Sequence, residues 1–109
     1  MSKKLAKYDS LIEHSDRAVG SNSFISKYLN TVQFNIRMTP DTLGAWTSWT
    51  TLPEGERPAF PIFVPCCENS SDRHKGICIV AIYPNGSVQY LAEPDKGHIE
   101  YLGFVSYKV

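Results

Sequence analysis

The chain has 109 residues, a length that suits one domain, and eleven basic side chains balance eleven acidic ones, so its formal charge is zero at pH 7. Its 42% hydrophobic and 20% charged residues are ordinary for a globular protein and exclude a disordered body. It shows no basic run of the kind that binds nucleic acid, so no nucleic-acid partner is predicted, while a net charge of zero is compatible with self-association.

The sequence contains no segment typical of membrane insertion or secretion. No apolar stretch approaches the roughly 18 residues needed to cross a bilayer, and residues 1–13 lack the apolar core of a signal peptide. Three cysteines, two of them adjacent at Cys66 and Cys67, make a poor disulfide framework. We therefore expect reduced thiols and a protein made in the cytoplasm, without membrane insertion.

Residues 1–23 differ from the rest of the chain and are predicted to lie outside the main domain. Leu5, Tyr8, Leu11 and Ile12 recur at helical spacing, which fits a short helix, the end of a coiled-coil stem or a partly ordered tail. Residues 17–23 are typical of a linker. The predicted division is an N-terminal stem remnant or tail at 1–23 and a β domain at 24–109.

Residues 24–52 are predicted to form three β-strands, at 24–29, 32–38 and 46–52. The second strand has the period-2 pattern of a half-buried strand, with four apolar residues alternating with polar ones: Val32, Phe34, Ile36 and Met38. A turn at Asn30 and Thr31 separates the first two strands. Threonine and tryptophan, both common in strands, dominate the third.

The second half continues with strands and turns. Residues 60–67 contain Pro61 and Pro65, which favours an edge or bulged strand. Residues 76–83 are the most apolar run and predict a strand at the centre of the sheet. The next hairpin is centred on Pro84-Asn85-Gly86, where Asn85 and Gly86 both tolerate positive φ. It returns through 87–91, and a last strand follows at 98–107.

Together these elements predict an all-β fold, a small antiparallel β-sandwich or jelly-roll-like barrel of six to seven strands. A short helical or disordered segment precedes it.

Catalytic and cofactor-binding motifs are not found. The sequence has no Gly-rich phosphate loop, nucleophile elbow or zinc-protease motif. His14, His74 and His98 lie far apart in sequence, and the carboxylates fall mostly in turns, where they cap backbone amides. We predict neither enzymatic activity nor a cofactor.

A metal site at Cys66, Cys67, His74 and Cys78 is the main alternative to packed thiols. Adjacent residues on a strand point to opposite faces of a sheet, so Cys66 and Cys67 cannot ligate one ion together. Cys78 belongs to an apolar strand, where a free cysteine behaves as a small hydrophobic residue. The pattern favours packed thiols, and no metal ligand is predicted.

Trp46, Asp72, Arg73 and His74 are the candidate ligand-binding residues. Exposed aromatic rings beside polar side chains make platforms for sugars, which have an apolar C–H face. Trp46 follows a Gly-containing loop and is predicted to be more exposed than Trp49, although core packing is the commoner use of tryptophan. The loop carrying the other three offers donors and acceptors on a rigid sheet, or is simply a solvated turn.

The run WTSWTTLPEGERP at residues 46–58 resembles a pattern in the C-terminal head domains of bacteriophage tail fibres and receptor-binding proteins. That pattern has an aromatic residue, then Leu-Pro-x-Gly-Tyr-x-Pro, an apolar strand, a hairpin on Asp-Gly or Asn-Gly, and a final aromatic strand. The chain matches it in order from about residue 24 to its end. It departs at Glu56, where the family more often has an aromatic residue.

The resemblance implies a homotrimeric head at the tip of a virion's tail fibre, assembled in the host cytoplasm with other tail or fibre proteins. Such a head binds saccharide on the host cell surface during attachment. Two alternatives stay open: a structural trimerisation or capping domain without its own ligand, and a free-standing bacterial carbohydrate-binding module.

Overall fold

A computed structural model describes residues 14–20, 22–69, 76–93 and 99–109 of the chain. These residues form eight strands: β1 (His14–Val19), β2 (Ser23–Tyr28), β3 (Thr31–Met38), β4 (Thr47–Thr51), β5 (Ile62–Glu68), β6 (Ile77–Ile82), β7 (Ser87–Ala92) and β8 (Tyr101–Lys108). A 3-10 helix, Glu54–Glu56, lies between β4 and β5. Within these ranges no helix is long and apolar enough to span a membrane.

The strands form one antiparallel sheet in the order β1-β2-β3-β8-β5-β6-β7-β4. The sheet curls strongly: the rings of Phe34 on β3 and Trp49 on β4 stack with centroids 5.8 Å apart, although four strands separate β3 from β4 in the sheet. The predicted all-β antiparallel class is confirmed. The strand number is eight rather than six to seven, and the core is enclosed by a single curled sheet.

The inner face of the curled sheet holds the hydrophobic core. On β3 every second side chain is buried, as the alternation predicts: Val32, Phe34, Ile36 and Met38. Neighbouring strands add apolar side chains at matching positions, including Ile25, Val64, Val80, Ile82 and Val88. Burial of these side chains supplies the main free energy that holds the curl closed.

Strand β1 corrects the prediction of a linker at residues 17–23. Arg17 pairs with Ile25 and Val19 pairs with Ser23 in the β1–β2 ladder. The described part of the sheet therefore includes residues 14–19, which precede residue 24. The physical reason is tertiary: Val19 is buried against the core, and Arg17 finds a buried partner on the inner side. The predicted helix, stem end or tail at residues 1–13 lies outside the described residues.

The prediction of an edge or bulged strand at β5 is wrong for the end of the strand, which lies between β8 and β6, but fits residues 62–66, which have no β8 partner. Strand β5 pairs with β6 along residues 62–67, but its ladder with β8 contains only Cys67 and Glu68. Pro65 therefore lies in the half of β5 that has no β8 ladder, where its missing N–H is tolerated.

The hairpin at Pro84-Asn85-Gly86 is present, but its conformation differs from the prediction in one respect. Gly86 has φ of 91°, and its N–H donates to the carbonyl of Tyr83 at 2.9 Å. Asn85 does not adopt positive φ; its side-chain oxygen instead accepts from the N–H of Ser87 at 2.9 Å. The loop is thus a four-residue turn from Tyr83 to Gly86 that ends in a glycine with positive φ.

The alternating strands give the sheet two different ends. At the loop end lie the β1–β2 turn, the β3–β4 connection, the last residues of β5 and β7 and the first residues of β6 and β8. At the opposite end, here called the plug end, lie residues 29–30, residues 52–61 and the hairpin at 84–86. The chain also enters β1 at the plug end, since His14 pairs with Tyr28.

A buried ion pair closes the plug end. Glu56 is 6% exposed, and its carboxylate accepts from Arg17 Nε at 3.0 and 3.1 Å and from Nη2 at 2.6 Å. The hydroxyl of Tyr107 donates to the Glu56 carbonyl at 2.8 Å. The hydrogen bond to Glu56 raises the pKa of Arg17, and burial raises the pKa of Tyr107. The residue that departs from the tail-fibre pattern thus links the 3-10 helix to β1 and β8.

Candidate functional site

A polar cleft of about 520 Å³ opens at the loop end, between the two edges of the curled sheet. One wall comes from the ends of β1 and β3 and from the β1–β2 turn, and the other comes from β4, β7 and the loop before β4. Nine of its lining residues have polar side-chain atoms: Asn22, Arg37, Thr39, Asp41, Thr42, Thr47, Ser48, Trp49 and Tyr90. A cleft of this size with a few convergent polar groups is typical of a small-molecule site.

Trp49 is held rigidly in the cleft wall. One face of its ring stacks on Phe34 at an interplanar angle of 23°. The indole also lies against the β1–β2 turn, where a Cβ built on Gly20 would come within 3.8 Å of Nε1. Because Trp49 is stacked on Phe34 and packed against the core, it offers a ligand an aromatic edge at a defined position.

Tyr90 holds the loop before β4, which forms one rim of the cleft, through two hydrogen bonds. Its hydroxyl oxygen accepts the N–H of Asp41 at 3.2 Å and the N–H of Thr42 at 3.1 Å. The side chain is 5% exposed and lines the cleft. Since the oxygen accepts in both contacts, the hydroxyl proton can be donated to a ligand. Tyr90 thereby places the Asp41 and Thr42 side chains without using up its own donor.

The opposite rim is anchored by Ser23 and Arg37. The buried Ser23 hydroxyl donates to the Arg37 carbonyl at 3.0 Å and accepts the Arg37 N–H at 2.9 Å. The Arg37 guanidinium lies 2.9 Å from Glu100, which also accepts from Asn69 at 2.8 Å. Hydrogen bonds from Arg37 and then Asn69 lower the pKa of Glu100, so the carboxylate is ionised at neutral pH.

Trp46 lies outside the cleft, on the outer face of the sheet. Its ring meets Phe63 edge-to-face with centroids 6.4 Å apart, and Phe63 meets Tyr83 at 6.3 Å. Trp46 is 44% exposed, whereas Trp49 packs against the core, so the predicted difference in exposure is confirmed. Its role as a ligand platform stays a prediction.

Asp72, Arg73 and His74 lie outside the described residues. The segment 70–75 joins β5 to β6, and those two strand ends are at the loop end. The predicted role of these three residues in binding therefore stays a prediction.

Sequence reasoning missed the cleft residues Asn22, Asp41, Thr42 and Tyr90. They come from one turn, one loop and one strand that meet only when the sheet curls. The only signals were Pro40-Asp41 and the glycine before Asn22, which mark turns but not a shared cavity.

The cysteines occupy the two faces of the sheet as the sequence predicted. Cys66 and Cys78 are opposite each other on β5 and β6 and are buried, while Cys67 is exposed; all three are free. Burial raises the pKa of Cys66 to about 12 and that of Cys78 to about 11, so neither thiol is reactive at neutral pH. In the part of the chain that the structure describes, no group of three His, Cys, Asp or Glu could hold a metal ion.

The chain matches no known protein-family model, and no curated protein matches it.

Proposed function

We propose that this chain is the head domain of a bacteriophage tail fibre and that it binds a host-surface saccharide at the cleft of the loop end. The observation that carries the proposal is the polar cleft itself, with its rims fixed by Tyr90 and Ser23. The orientation of β1 supports the proposal. Its first residue lies at the plug end, so the cleft lies at the end of the domain opposite to the start of β1.

The chemistry of the cleft suits a saccharide. The amide of Asn22, the carboxylate of Asp41 and the hydroxyls of Thr42 and Tyr90 supply donors and acceptors for sugar hydroxyls. The aromatic edge of Trp49 offers contact area for a sugar's C–H groups. Such contacts are weak one at a time, so a homotrimeric head on a virion, joined to other fibre proteins, gains affinity from three linked sites.

Adsorption of the purified chain to a panel of bacteria tests the proposal. We expect at least one strain to bind the labelled chain, with competition by that strain's extracted surface polysaccharide. Asp41→Ala removes a cleft carboxylate and should weaken adsorption at least tenfold, and Asp41→Asn should weaken it less. Glu54→Ala is the matched control, because Glu54 is an exposed carboxylate at the plug end.

The outcomes separate the cleft from its alternatives. If Trp46→Ala or Asp72→Ala abolishes adsorption while Asp41→Ala does not, the site predicted from the sequence is correct and the cleft is not the site. A folded multimer that adsorbs to no strain supports the capping domain, and a monomer that binds polysaccharide supports a free-standing carbohydrate-binding module.

A further inference from the structure

The outer face of the curled sheet exposes a set of large apolar side chains, here called the outer apolar face. It consists of Phe24, Phe63, Ile77, Leu102 and Phe104, which are 39–57% exposed. The outward-facing positions of β5, β6 and β7 carry no charged residue. An antiparallel sheet that faces water on one side normally carries polar side chains there, whereas the outward positions of β5 and β6 are all apolar.

The outer apolar face has two parts of different shape. The first is a ridge on β2 and β8, where Phe24 and Phe104 flank Asn35 of β3 at the same level of the sheet, with Leu102 beside them. The second is a groove of about 320 Å³ over β6 and β7. Its lining is mostly apolar: Gly44, Ile77, Ile79, Leu91, Ala92 and Glu93.

The exposed area is large for a single small domain. A fully exposed phenylalanine presents on the order of 200 Å², so three at about half exposure leave on the order of 300 Å² of ring surface. Ile77, Leu102 and the groove add to it. The sum is comparable to the largest apolar patches of monomeric proteins, and it supplies much of the roughly 800 Å² that each partner buries in a stable interface.

We propose that a second copy of this chain covers the outer apolar face, with the Phe24–Phe104 ridge of one copy seated in the β6–β7 groove of the next. The groove and the ridge lie on the same molecule, so both are buried when each copy contacts two others. Such a head-to-tail contact closes into a ring when the rotation permits. The one charged side chain in the groove lining, Glu93, accepts the N–H of Ile77 at 3.2 Å, and Arg37, which lies opposite Leu102 beside the ridge, is paired with Glu100. Packing the two surfaces together therefore buries no charge that lacks a partner in its own molecule.

This inference deepens the assembly part of the proposed function and does not depend on the ligand. Saccharide binding at the cleft is expected to persist, at lower avidity, in variants that no longer assemble. Loss of assembly and loss of ligand binding are therefore measured separately.

Molecular mass in solution, measured by light scattering across a concentration series with reductant present, tests the contact. Reductant is needed because the exposed Cys67 thiol could cross-link copies. The wild-type chain should have a mass of at least two chains of 12.2 kDa each. Phe104→Lys and Ile77→Lys should each weaken association at least tenfold, whereas Phe60→Lys should not; Phe60 is 78% exposed but precedes β5.

Mixing the two disrupted variants tests the head-to-tail geometry. Phe104→Lys retains an intact groove and Ile77→Lys retains an intact ridge, so an equimolar mixture should form a 1:1 complex that neither variant forms alone. A like-with-like contact of two ridges or two grooves would give no such complex and would overturn the proposed seating. A wild-type chain that stays monomeric at millimolar concentration would overturn the proposal as a whole.

Circular dichroism and thermal unfolding establish that each variant is folded before its mass is interpreted. If Phe104→Lys does not fold, Phe104→Ser replaces it, because serine at an exposed strand position removes the ring without adding charge.

Discussion

The two ends of the curled sheet use the same side-chain chemistry in opposite environments. At the plug end, Arg17 and Glu56 form an ion pair whose side chains are 39% and 8% exposed. At the loop end, Arg37 and Glu100 form a pair whose side chains are 54% and 23% exposed.

A tyrosine lies near each pair, but it is used differently. Tyr107 donates its proton to the Glu56 carbonyl at the plug end, whereas Tyr90 accepts two N–H groups at the loop end and keeps a proton to donate. Burial and bonding partners, rather than residue type, make one end a closure of the fold and leave an open polar cleft at the other.

The largest expected effect is at the plug end, from Arg17→Ala. Without the guanidinium, the Glu56 carboxylate is buried with no counter-ion, which should lower the free energy of unfolding by about 3 kcal/mol. Urea unfolding measures the loss. Arg17→Lys keeps the charge but not the paired contacts and should lose less. A loss no greater than that of an ordinary surface substitution would show that the pair does not close this end.

Gly86→Ala should destabilise the same end by about 2 kcal/mol, from strain and overpacking. Gly86 has φ of 91°, and an added Cβ would lie 2.5 Å from the Leu52 carbonyl oxygen, which also accepts from Arg57 Nε at 2.9 Å. Thermal unfolding of Gly86→Ala and Gly55→Ala distinguishes the strain at Gly86 from a general cost of replacing glycine. Gly55 has ordinary φ, and an added Cβ there would meet only the tip of the Lys27 side chain. Equal melting temperatures would contradict the prediction.

Two tyrosine-to-phenylalanine substitutions sharpen the contrast at the loop end. Tyr90→Phe removes the acceptor of two N–H groups and should cost about 1 kcal/mol of stability, with a larger proportional loss of saccharide adsorption.

Tyr101→Phe should be stabilising by about 1 kcal/mol, because the buried Tyr101 hydroxyl has no hydrogen-bond partner among the described residues. Chemical unfolding measures the free energy of unfolding of both variants, which should fall for Tyr90→Phe and rise for Tyr101→Phe.

The dependence of stability on pH above 10 provides a second test of Tyr101. Burial raises the pKa of Tyr101 from 10.0 to about 12, so the neutral phenol contributes stability that is complete below pH 10 and is lost as the pH rises toward 12. The Tyr101→Phe variant should lose less stability than wild type over that window. If stability falls with pH equally in wild type and Tyr101→Phe, the raised pKa of Tyr101 is contradicted.

The smallest effect is expected from the exposed pair, in Glu100→Gln. The pKa of Glu100 lies below its ordinary value of 4.5 because Arg37 and Asn69 bond the carboxylate. The contribution is present above pH 4.5 and is lost as the pH falls through the lower folded-state pKa. Stability of wild type and Glu100→Gln should differ slightly at pH 7 and converge in acid, whereas the effect of Arg17→Ala should greatly exceed that difference at pH 7.

The strands that sequence predicted best are those whose pattern is local. Residues 32–38 alternate strictly, and β3 occupies them with its alternate side chains buried. Residues 14–19 have no such alternation, and β1 was missed because its stability comes from Glu56 and the core, both distant in sequence. The exposure of Trp46 could be predicted from its position after a loop that contains glycine. The cleft could not be predicted from the sequence.

By itself the sequence determined the all-β class, most strand positions and the hairpin at Pro84-Asn85-Gly86, because periodicity and turn residues act over a few neighbouring positions. Only the tertiary structure decided the strand order, the curl that stacks Trp49 on Phe34 and the cleft rim bonded to Tyr90. Those features depend on contacts between residues far apart in the chain, and a local pattern carries no record of which distant strand becomes its neighbour.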